Sequence, residues 1–124
     1  MSNLRFTEDH EWLRLDDDGR ATVGITTFAQ EQLGDLVFVD LPAPGKSLKG
    51  GEEAAVIESV KAAGEIKMPV AGVIVEINEA LRDEPSKANE DPQGSGWFFR
   101  IELADPAAFD LLMDESAYVA FTGA

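Results

Sequence analysis

Short runs of alternating apolar and polar residues follow one another along this chain and predict a series of β-strands. "EWLRL" and "RATVGI" are separated by "DDDG", which is typical of a hairpin turn. Four later runs have the same strand-like character, namely "LVFVDL", "AAVIESV", "GVIVEIN" and "GWFFRIEL". Many short strands separated by turns that contain Gly or Pro predict a mainly β fold, either a barrel or a sandwich.

Two short stretches are helix-like instead, and both would lie at the periphery of the β-structure. In "TFAQEQLGD", Thr27 and Gln30 have the spacing of a capping box, and Gly34 stands where a helix-terminating glycine belongs. Near the end, Asp105 and Pro106 form a typical N-cap and first-turn pair before "AAFDLLM". The polar stretch "EALRDEPSKANEDPQGSG" is interrupted by proline, so we expect a loop there with at most one or two helical turns.

The length and the charge of the chain restrict its possible functions. Its 124 residues indicate one domain spanning residues 1–124. The sequence contains 10 Lys and Arg residues against 24 Asp and Glu residues, and its formal net charge is −14. Because nucleic acid and anionic membranes attract cationic proteins, we expect neither as a partner. An acidic surface suits transient docking with enzymes that have basic entrances, since opposite charges raise the encounter rate.

The chain contains no cysteine, so it can form neither a disulfide nor a thiolate metal site, and it has no thiol nucleophile. No apolar run approaches the length of a membrane span. The first residues, "MSNLRFTEDHEW", have neither the apolar core of a signal peptide nor the Arg- and Ser-rich composition of a transit peptide. These features predict a cytoplasmic protein.

The segment "ESVKAAGEIK" predicts a hairpin with a lysine at its tip. Pairing Ile57 with Met68 gives one largely apolar face, and the same register places Glu58 opposite Lys67 as an ion pair between the strands. This register leaves a four-residue loop that begins at Lys61 and ends with a glycine in the left-handed conformation. The lysine would then stand at the mouth of a tight turn, next to small residues that let another protein approach.

From the residues alone, Lys61 is either an ordinary surface lysine or a site of enzymatic acylation. An unmodified lysine has a pKa of about 10.4 and is mostly protonated at neutral pH, so it is a poor nucleophile. A Schiff-base role is therefore not expected, whereas a lysine on a protruding hairpin is accessible to a modifying enzyme. Lys46 and Lys49 in "PGKSLKGG" are also expected at the surface, so exposure alone does not separate the two alternatives.

Longer segments around this lysine resemble one protein family. "VIESVKAAGEI" and the following "MPVAGVIVEINEALRDEPSKANEDPQGSGWFFRIEL" closely resemble the H-proteins of the glycine cleavage system. "TEDHEWLRL", "VGITTFAQEQLGDLVFVDLPAPG" and "LLMDESAYVAF" resemble them as well, so the likeness covers nearly the whole chain in a single order. The context "ESVKA" also differs from the "DKA" of lipoyl domains in 2-oxo-acid dehydrogenases and from the "MKM" of biotin carriers.

The resemblance implies a barrel-sandwich hybrid of the lipoyl- and biotinyl-carrier type with peripheral short helices, in which Lys61 carries (R)-lipoate through an amide bond. In the family, the lipoyl arm takes up the aminomethyl group of glycine at the pyridoxal-phosphate glycine decarboxylase (P-protein) and delivers it to the tetrahydrofolate-dependent aminomethyltransferase (T-protein). Dihydrolipoamide dehydrogenase (L-protein) then reoxidises the arm. A lipoyl or octanoyl transferase, or a lipoate ligase, attaches the group. The H-protein itself is a non-catalytic carrier, and we expect a monomer.

The resemblance also implies roles for residues near Lys61 and near the N-terminus. Recognition of the lysine would involve the hairpin residues Glu58, Ser59, Val60, Ala62 and Gly64. In the family, residues at the positions of Asp9 and Glu11 line a cleft that shelters the loaded arm, and Glu65 matches an acidic position that would assist. Glu11 would hold the cationic amine of the cargo. One difference is Gly64, where the family usually has serine, and this change would loosen the turn or remove a hydroxyl hydrogen bond.

Three other functions compete with this one. A paralogue could relay lipoyl groups to other lipoate-dependent enzymes, and a biotin carrier would present a similar hairpin. A free-standing enzyme would need a catalytic constellation that the sequence lacks, and His10 has no serine or cysteine nucleophile motif beside it, so we interpret it as structural. The "DDD" at positions 16–18 resembles a calcium loop only in composition, because it lacks the EF-hand spacing.

Overall fold

Short strands and short helices follow one another along the described part of the chain. The computed structural model describes residues 3–16 and 18–123. The strands are β1 (Leu4–Phe6), β2 (Glu11–Leu15), β3 (Arg20–Ile25), β4 (Leu36–Asp40), β5 (Ser47–Leu48), β6 (Glu53–Ser59), β7 (Ala63–Lys67), β8 (Gly72–Ile77) and β9 (Phe99–Leu103). The helices are α1 (Thr27–Leu33), α2 (Ala80–Asp83), α3 (Lys87–Glu90), α4 (Ala107–Asp110) and α5 (Glu115–Thr122). None of the helices in these described ranges is long and apolar enough to cross a membrane.

The strands form two antiparallel sheets that share one core. The larger sheet has the order β1-β2-β3-β9-β8-β5, and the smaller sheet has the order β4-β6-β7. Alternate side chains of each strand point into the space between the sheets. Buried residues from both sheets meet there, among them Leu13, Val23, Ile57, Ile66 and Ile101. The predicted mainly β fold with peripheral helices is confirmed, and its two sheets have free edges rather than closing into one barrel.

The predicted helix after β3 is confirmed as α1, but its N-cap lies one residue earlier than predicted. The Thr26 hydroxyl accepts a hydrogen bond from the Ala29 N–H at 3.2 Å, so Thr26 rather than Thr27 caps the helix. An N-cap residue typically has an extended backbone. Thr26, which directly follows β3, has one, with φ −77° and ψ 164°. At the other end, Gly34 ends the helix with φ 74°, as predicted.

The later part of the chain contains both predicted and unpredicted helices. The polar segment between β8 and β9 holds the single turns α2 and α3, which agrees with the prediction. Asp105 accepts a hydrogen bond from the Ala107 N–H at 3.1 Å and so supports the start of α4. Helix α5, by contrast, has no counterpart among the predictions. Tyr118 is its one buried residue, so the apolar periodicity that reveals a helix in a sequence is missing.

The β6–β7 hairpin has a different register from the predicted one. Ile57 lies opposite Gly64 rather than Met68, a shift of four residues, and the predicted ion pair between Glu58 and Lys67 is wrong because these residues are not opposite each other. A shift by an even number keeps each residue on the same face of the sheet. The apolar pattern therefore predicts the faces correctly and cannot distinguish the two registers.

The predicted turn position of Gly64 is also wrong, because this residue lies within β7 and does not have a positive φ. A Cβ atom built on Gly64 would lie 3.8 Å from Ile57 Cγ1, which is an ordinary contact. A serine would therefore fit at this position. The glycine does not shape or loosen the turn, which is formed by the residues from Ser59 to Ala62.

Candidate functional site

Lys61 lies at the exposed tip of the β6–β7 hairpin, together with the exposed residues Glu58, Val60 and Ala62. Ser59 holds this tip. Its N–H donates to the Ala62 carbonyl at 2.7 Å, and its hydroxyl accepts from the N–H groups of Lys61 and Ala62, each at 3.1 Å. These bonds satisfy the backbone of the turn, so the lysine projects from a well-defined support.

The aliphatic stem of Lys61 lies against the end of α1. A Cβ atom built on Gly34 would lie 3.4 Å from Lys61 Cε and 3.6 Å from Val60 Cγ2, which are contact distances, so the lysine stem packs directly beside this residue. The φ of 74° at Gly34 favours glycine at this position. Val60 N–H donates to the Asp35 carbonyl at 3.0 Å and ties the hairpin tip to the same segment.

Asn89 in α3 holds the segment that supports the lysine. Its Nδ2 donates to the Gly34 carbonyl and its Oδ1 accepts from the Leu36 N–H, both at 2.8 Å. One side-chain amide thus satisfies both backbone groups where the chain leaves α1. Sequence reasoning missed Asn89 because an asparagine in a long polar loop looks like any other loop residue.

A cleft of about 340 Å³ opens between α1 and β7, and Leu33 and Gly64 line its end on the side of the hairpin tip. The three acidic residues that the sequence associates with a cleft, Asp9, Glu11 and Glu65, all line it. Its apolar lining consists of Ile25, Phe28, Ala29, Leu33, Ile57 and Ile66. Strand β7 runs beside the cleft for about 13 Å, from just after Lys61 to Lys67, which contacts Glu11. The cleft is therefore an apolar slot that extends from the side of the hairpin tip, where Lys61 lies outside its lining, to the carboxyl group of Glu11.

Glu11 forms the buried end of this slot and is only 3% exposed. Its Oε2 accepts from the backbone N–H of Lys67 at 3.0 Å, and its Oε1 accepts from the Thr7 hydroxyl at 3.0 Å. Because β7 is the outer strand of its sheet, the Lys67 N–H has no neighbouring strand to bond. The Glu11 carboxyl group accepts this N–H instead of a neighbouring strand. In the part of the chain that the structure describes, no salt bridge neutralises Glu11.

The protonation of Glu11 follows from this environment. Burial raises the pKa of Glu11 to about 7, and the hydrogen bonds from Lys67 and Thr7 oppose this rise only in part. Near neutral pH the group is therefore divided between its neutral and its ionised form. An ionised carboxylate in an apolar slot is costly without a cation, so a cationic amine that entered the slot would be bound favourably.

His10 connects the floor of the cleft to the C-terminal helix. Its Nδ1 lies 2.8 Å from the Tyr118 hydroxyl, which in turn lies 2.7 Å from the Thr26 hydroxyl. The imidazole also packs on Phe28, with 4.5 Å between ring centroids. These contacts stabilise a left-handed backbone at His10, with φ 67°, in the turn that brings Glu11 to the cleft. Sequence reasoning missed Tyr118, which lies more than a hundred residues away along the chain.

A second group of carboxylates lies on the outer face of the larger sheet. Arg100 binds three of them: Asp18 at 2.9 Å, Glu76 at 3.0 Å and Asp16 at 3.3 Å. The Thr22 hydroxyl donates to Asp16 at 2.7 Å. We call these five residues the Arg100 cluster. Asp16 and Asp18 belong to the "DDD" turn, whose middle residue lies outside the described residues, and their side chains bind protein groups.

Nearly the whole length of the chain matches one family of known proteins. The family model described as "Glycine cleavage H-protein" matches residues 4–124. The chain belongs to this family. The sequence-based resemblance to H-proteins is thereby confirmed, and the family is that of a carrier component of the glycine cleavage system.

Curated members of the H-protein family are similar over nearly their full length. The glycine cleavage system H protein of Rhodospirillum rubrum is 55% identical over 123 residues, which is 99% of this chain and 98% of that protein. The one from Methylocella silvestris is 59% identical over 121 residues, which is 98% of this chain and 96% of that protein. A crystal structure of a glycine cleavage system H protein from Mycobacterium marinum superimposes with a TM-score of 0.87 at 35% identity, covering 100% of this chain and 99% of that one. The barrel-sandwich type of fold is therefore confirmed.

Proposed function

We propose that this chain carries a lipoyl group on Lys61 and shuttles the aminomethyl group of glycine between the enzymes of the glycine cleavage system. One observation carries the proposal: an apolar cleft extends along β7 from the side of the hairpin tip, which carries the exposed Lys61, to the buried Glu11, which forms no salt bridge among the described residues. Membership of the H-protein family over residues 4–124 supports the same role.

The residues present fit a lipoyl group. The exposed amine of Lys61 is available for an amide bond, and the apolar lining of the cleft, such as Phe28 and Leu33, suits a hydrocarbon chain and a sulfur ring. A volume of about 340 Å³ lies within the range of small-molecule sites. When bound, the group would supply a disulfide that can be opened by reduction, which a chain without cysteine cannot supply itself.

The acidic residues of the cleft would bind the cargo. The carboxylate of Glu11 would accept a charge-assisted hydrogen bond from the cationic amine, and Asp9 and Glu65 at the more exposed rim would add negative potential. Helix α1 and strand β7 would exclude water from the sheltered amine. Because loss of the cargo as formaldehyde requires water, this exclusion would prolong the lifetime of the loaded carrier.

The partners of the chain follow from this role. Glycine decarboxylase, the aminomethyltransferase and dihydrolipoamide dehydrogenase would act on the arm, and a lipoyl or octanoyl transferase or a lipoate ligase would attach it. The chain would serve as a non-catalytic cytoplasmic carrier and would work as a monomer. Its net charge of −14 favours fast encounters with enzymes that have basic entrances.

Replacement of Lys61 by arginine tests the proposal. With lipoate, ATP and a lipoate ligase, the wild type should gain one lipoyl group by intact mass, and the adduct should map to Lys61 in peptides. Lys61→Arg keeps the positive charge but should gain no mass and should abolish glycine decarboxylation in a reconstituted system. Lys46→Arg and Lys49→Arg are matched controls at other exposed lysines and should behave like the wild type.

Retained decarboxylation in Lys61→Arg, or an adduct that maps to Lys46 or Lys49, would contradict the proposal. The same mass measurement after incubation with biotin, ATP and a biotin ligase tests the biotin-carrier alternative, which predicts a biotinyl adduct on Lys61. Decarboxylation that stays absent after complete lipoylation of the wild type would favour a relay to other lipoate-dependent enzymes.

A further inference from the structure

Three large, exposed apolar side chains lie together at the corner of the molecule that carries the hairpin tip. Val60 is 65% exposed, Val37 56% and Phe38 47%. Strand β4 lies beside β6 with Phe38 opposite Glu58, and the Val60 N–H bonds to the Asp35 carbonyl just before β4. Single exposed apolar residues are common on soluble proteins, but clustered ones mark interaction surfaces. We call these three residues the tip patch.

An irregularity in β4 creates the tip patch. Leu36 and Val39 are both buried, although residues three apart in a regular strand point to opposite faces. The pairing of β4 with β6 shifts between Leu36 and Phe38, and this shift places two residues, Val37 and Phe38, between the buried ones. Both therefore point to solvent. A regular strand would expose only one of them.

Acidic groups surround the tip patch. Asp35, Asp40 and Glu58 are all exposed, and each lies next to or opposite a residue of β4. An apolar centre with a negative rim is complementary to an apolar surface bordered by Lys and Arg. The same rim disfavours an anionic membrane surface, which would be repelled.

We propose that the tip patch, Val37, Phe38 and Val60, is the docking surface for the enzyme that attaches the lipoyl group to Lys61. This inference rests on the proposed function. An attaching enzyme must bring its acyl donor to Lys61 Nζ itself, so the surface within a few ångströms of this atom is buried in that complex. Enzymes that act later meet the far end of a finished arm and need not cover the patch.

The acyl transfer itself involves only the amine of Lys61 and the acyl donor, so an effect on carrier binding can be distinguished from an effect on the reaction. The neutral amine of Lys61 attacks the carbonyl carbon of a lipoyl adenylate. An amide C–N bond forms while the bond between the carbonyl carbon and the phosphate oxygen breaks, AMP leaves, and the nitrogen gives up one proton. The tip patch takes no part in these bond changes. Its removal should therefore raise KM for the carrier much more than it lowers kcat.

Serine substitutions in the tip patch test the inference. Phe38→Ser and Val37→Ser should each lower kcat/KM for lipoylation at least fivefold, measured by intact mass with a lipoate ligase, lipoate and ATP. Leu111→Ser is the matched control, because Leu111 is 86% exposed and lines a cavity with Gly51 and Pro69 at the other end of the hairpin. It should change kcat/KM less than twofold. Acetylation of Lys61 by N-hydroxysuccinimidyl acetate should be equally fast in all variants, which shows that the amine itself is unchanged.

The possible outcomes are distinguishable. If the wild type is lipoylated on Lys61 while the patch variants react as fast as Leu111→Ser, the inference is wrong and the proposed function stands. If the wild type is not lipoylated on Lys61, the proposed function fails as well. A wild-type dimer in light scattering that Phe38→Ser converts to a monomer would show that a second copy covers the patch, and would overturn the inference. Unchanged melting temperatures of the variants would confirm that their folds are intact.

Discussion

Carboxylate groups occupy two contrasting environments in this protein, the cleft and the Arg100 cluster. Glu11 is buried in the cleft and is bonded only by an N–H and a hydroxyl group. Asp16, Asp18 and Glu76 lie on the outer face of the larger sheet, and all three bind Arg100. The same chemical group is therefore paired with a cation in one region, whereas in the other it forms no salt bridge with any described residue.

The pKa values of the ionisable groups in the two regions reflect this difference. Burial raises the pKa of Glu11 to about 7, whereas the Arg20 N–H and the Arg100 guanidinium hold the pKa of Asp18 below its usual range. The bonds to Glu76 and Asp18 raise the pKa of Arg100 above its usual range. The Arg100 cluster stabilises the folded chain at neutral pH, whereas the ionised Glu11 costs stability and favours a cationic ligand.

The largest expected effect comes from Glu11→Gln, which should uncouple stability from pH. The pKa of Glu11 is higher in the folded state, about 7 against 4.5, so the folded state binds more protons between these values and stability falls as the pH rises through this window. From pH 5 to pH 8 the wild type should lose about 2.5 kcal/mol relative to the glutamine variant. Urea unfolding at both pH values measures this difference.

The same variant should retain its cargo less well than the wild type, although it gains stability relative to the wild type at high pH. Glu11→Gln removes the negative charge, so an aminomethyl-loaded carrier should release formaldehyde about tenfold faster at pH 8, which corresponds to the loss of one charge-assisted contact. Equal pH dependence of stability in both proteins, or unchanged release, would show that Glu11 does not differ from an ordinary surface carboxylate.

A smaller effect is expected from Arg100→Met, which removes the shared cation of the Arg100 cluster. Three carboxylates would then face one another without Arg100, and the free energy of unfolding at neutral pH should fall by about 1–2 kcal/mol. Cargo retention should not change. Arg82→Met is the matched control, since Arg82 lies 3.8 Å from Glu79 in an exposed pair, and it should cost less than about 0.5 kcal/mol. Faster release of the cargo by Arg100→Met would break the distinction between the two regions.

The smallest expected effect is that of salt, which should sharpen the same contrast. The carboxylates of Asp18 and Glu76 are about half exposed, so 1 M NaCl should reduce the destabilisation by Arg100→Met by about half, measured again by urea unfolding. The pH effect of Glu11→Gln arises from burial and should persist. If salt reduces both effects equally, solvent reaches Glu11 as freely as it reaches the outer face.

Much of the fold could be predicted from local patterns. Alternation of apolar and polar residues predicts most of the strands, and Gly34 marks the end of α1. Elements with few buried residues could not be predicted, such as α5 with its single buried Tyr118 and the two-residue strand β5. Such short or exposed elements are stabilised by contacts with distant parts of the chain, which leave no period in the sequence.

The candidate site also contains residues that could be predicted from the sequence and residues that could not. Lys61, Asp9, Glu11 and Glu65 could be named from family resemblance, and the structure brings the three acidic residues to one cleft. Their binding of the cargo stays a prediction. The support given by Ser59 and Asn89 could not be foreseen, because each acts through hydrogen bonds whose partners depend on the register or on a tertiary contact.

By itself, the sequence determined most of the strand segments, which of their faces are apolar and which lysine lies at a hairpin tip, because these properties depend on neighbours along the chain. Only the tertiary structure decided the register of that hairpin and the burial of Glu11. An even register shift leaves the apolar faces unchanged, so alternation cannot select the partner of Ile57. Glu11 is buried because β7 needs a hydrogen-bond acceptor at its free edge, and the N–H that it accepts lies 56 residues away in the chain.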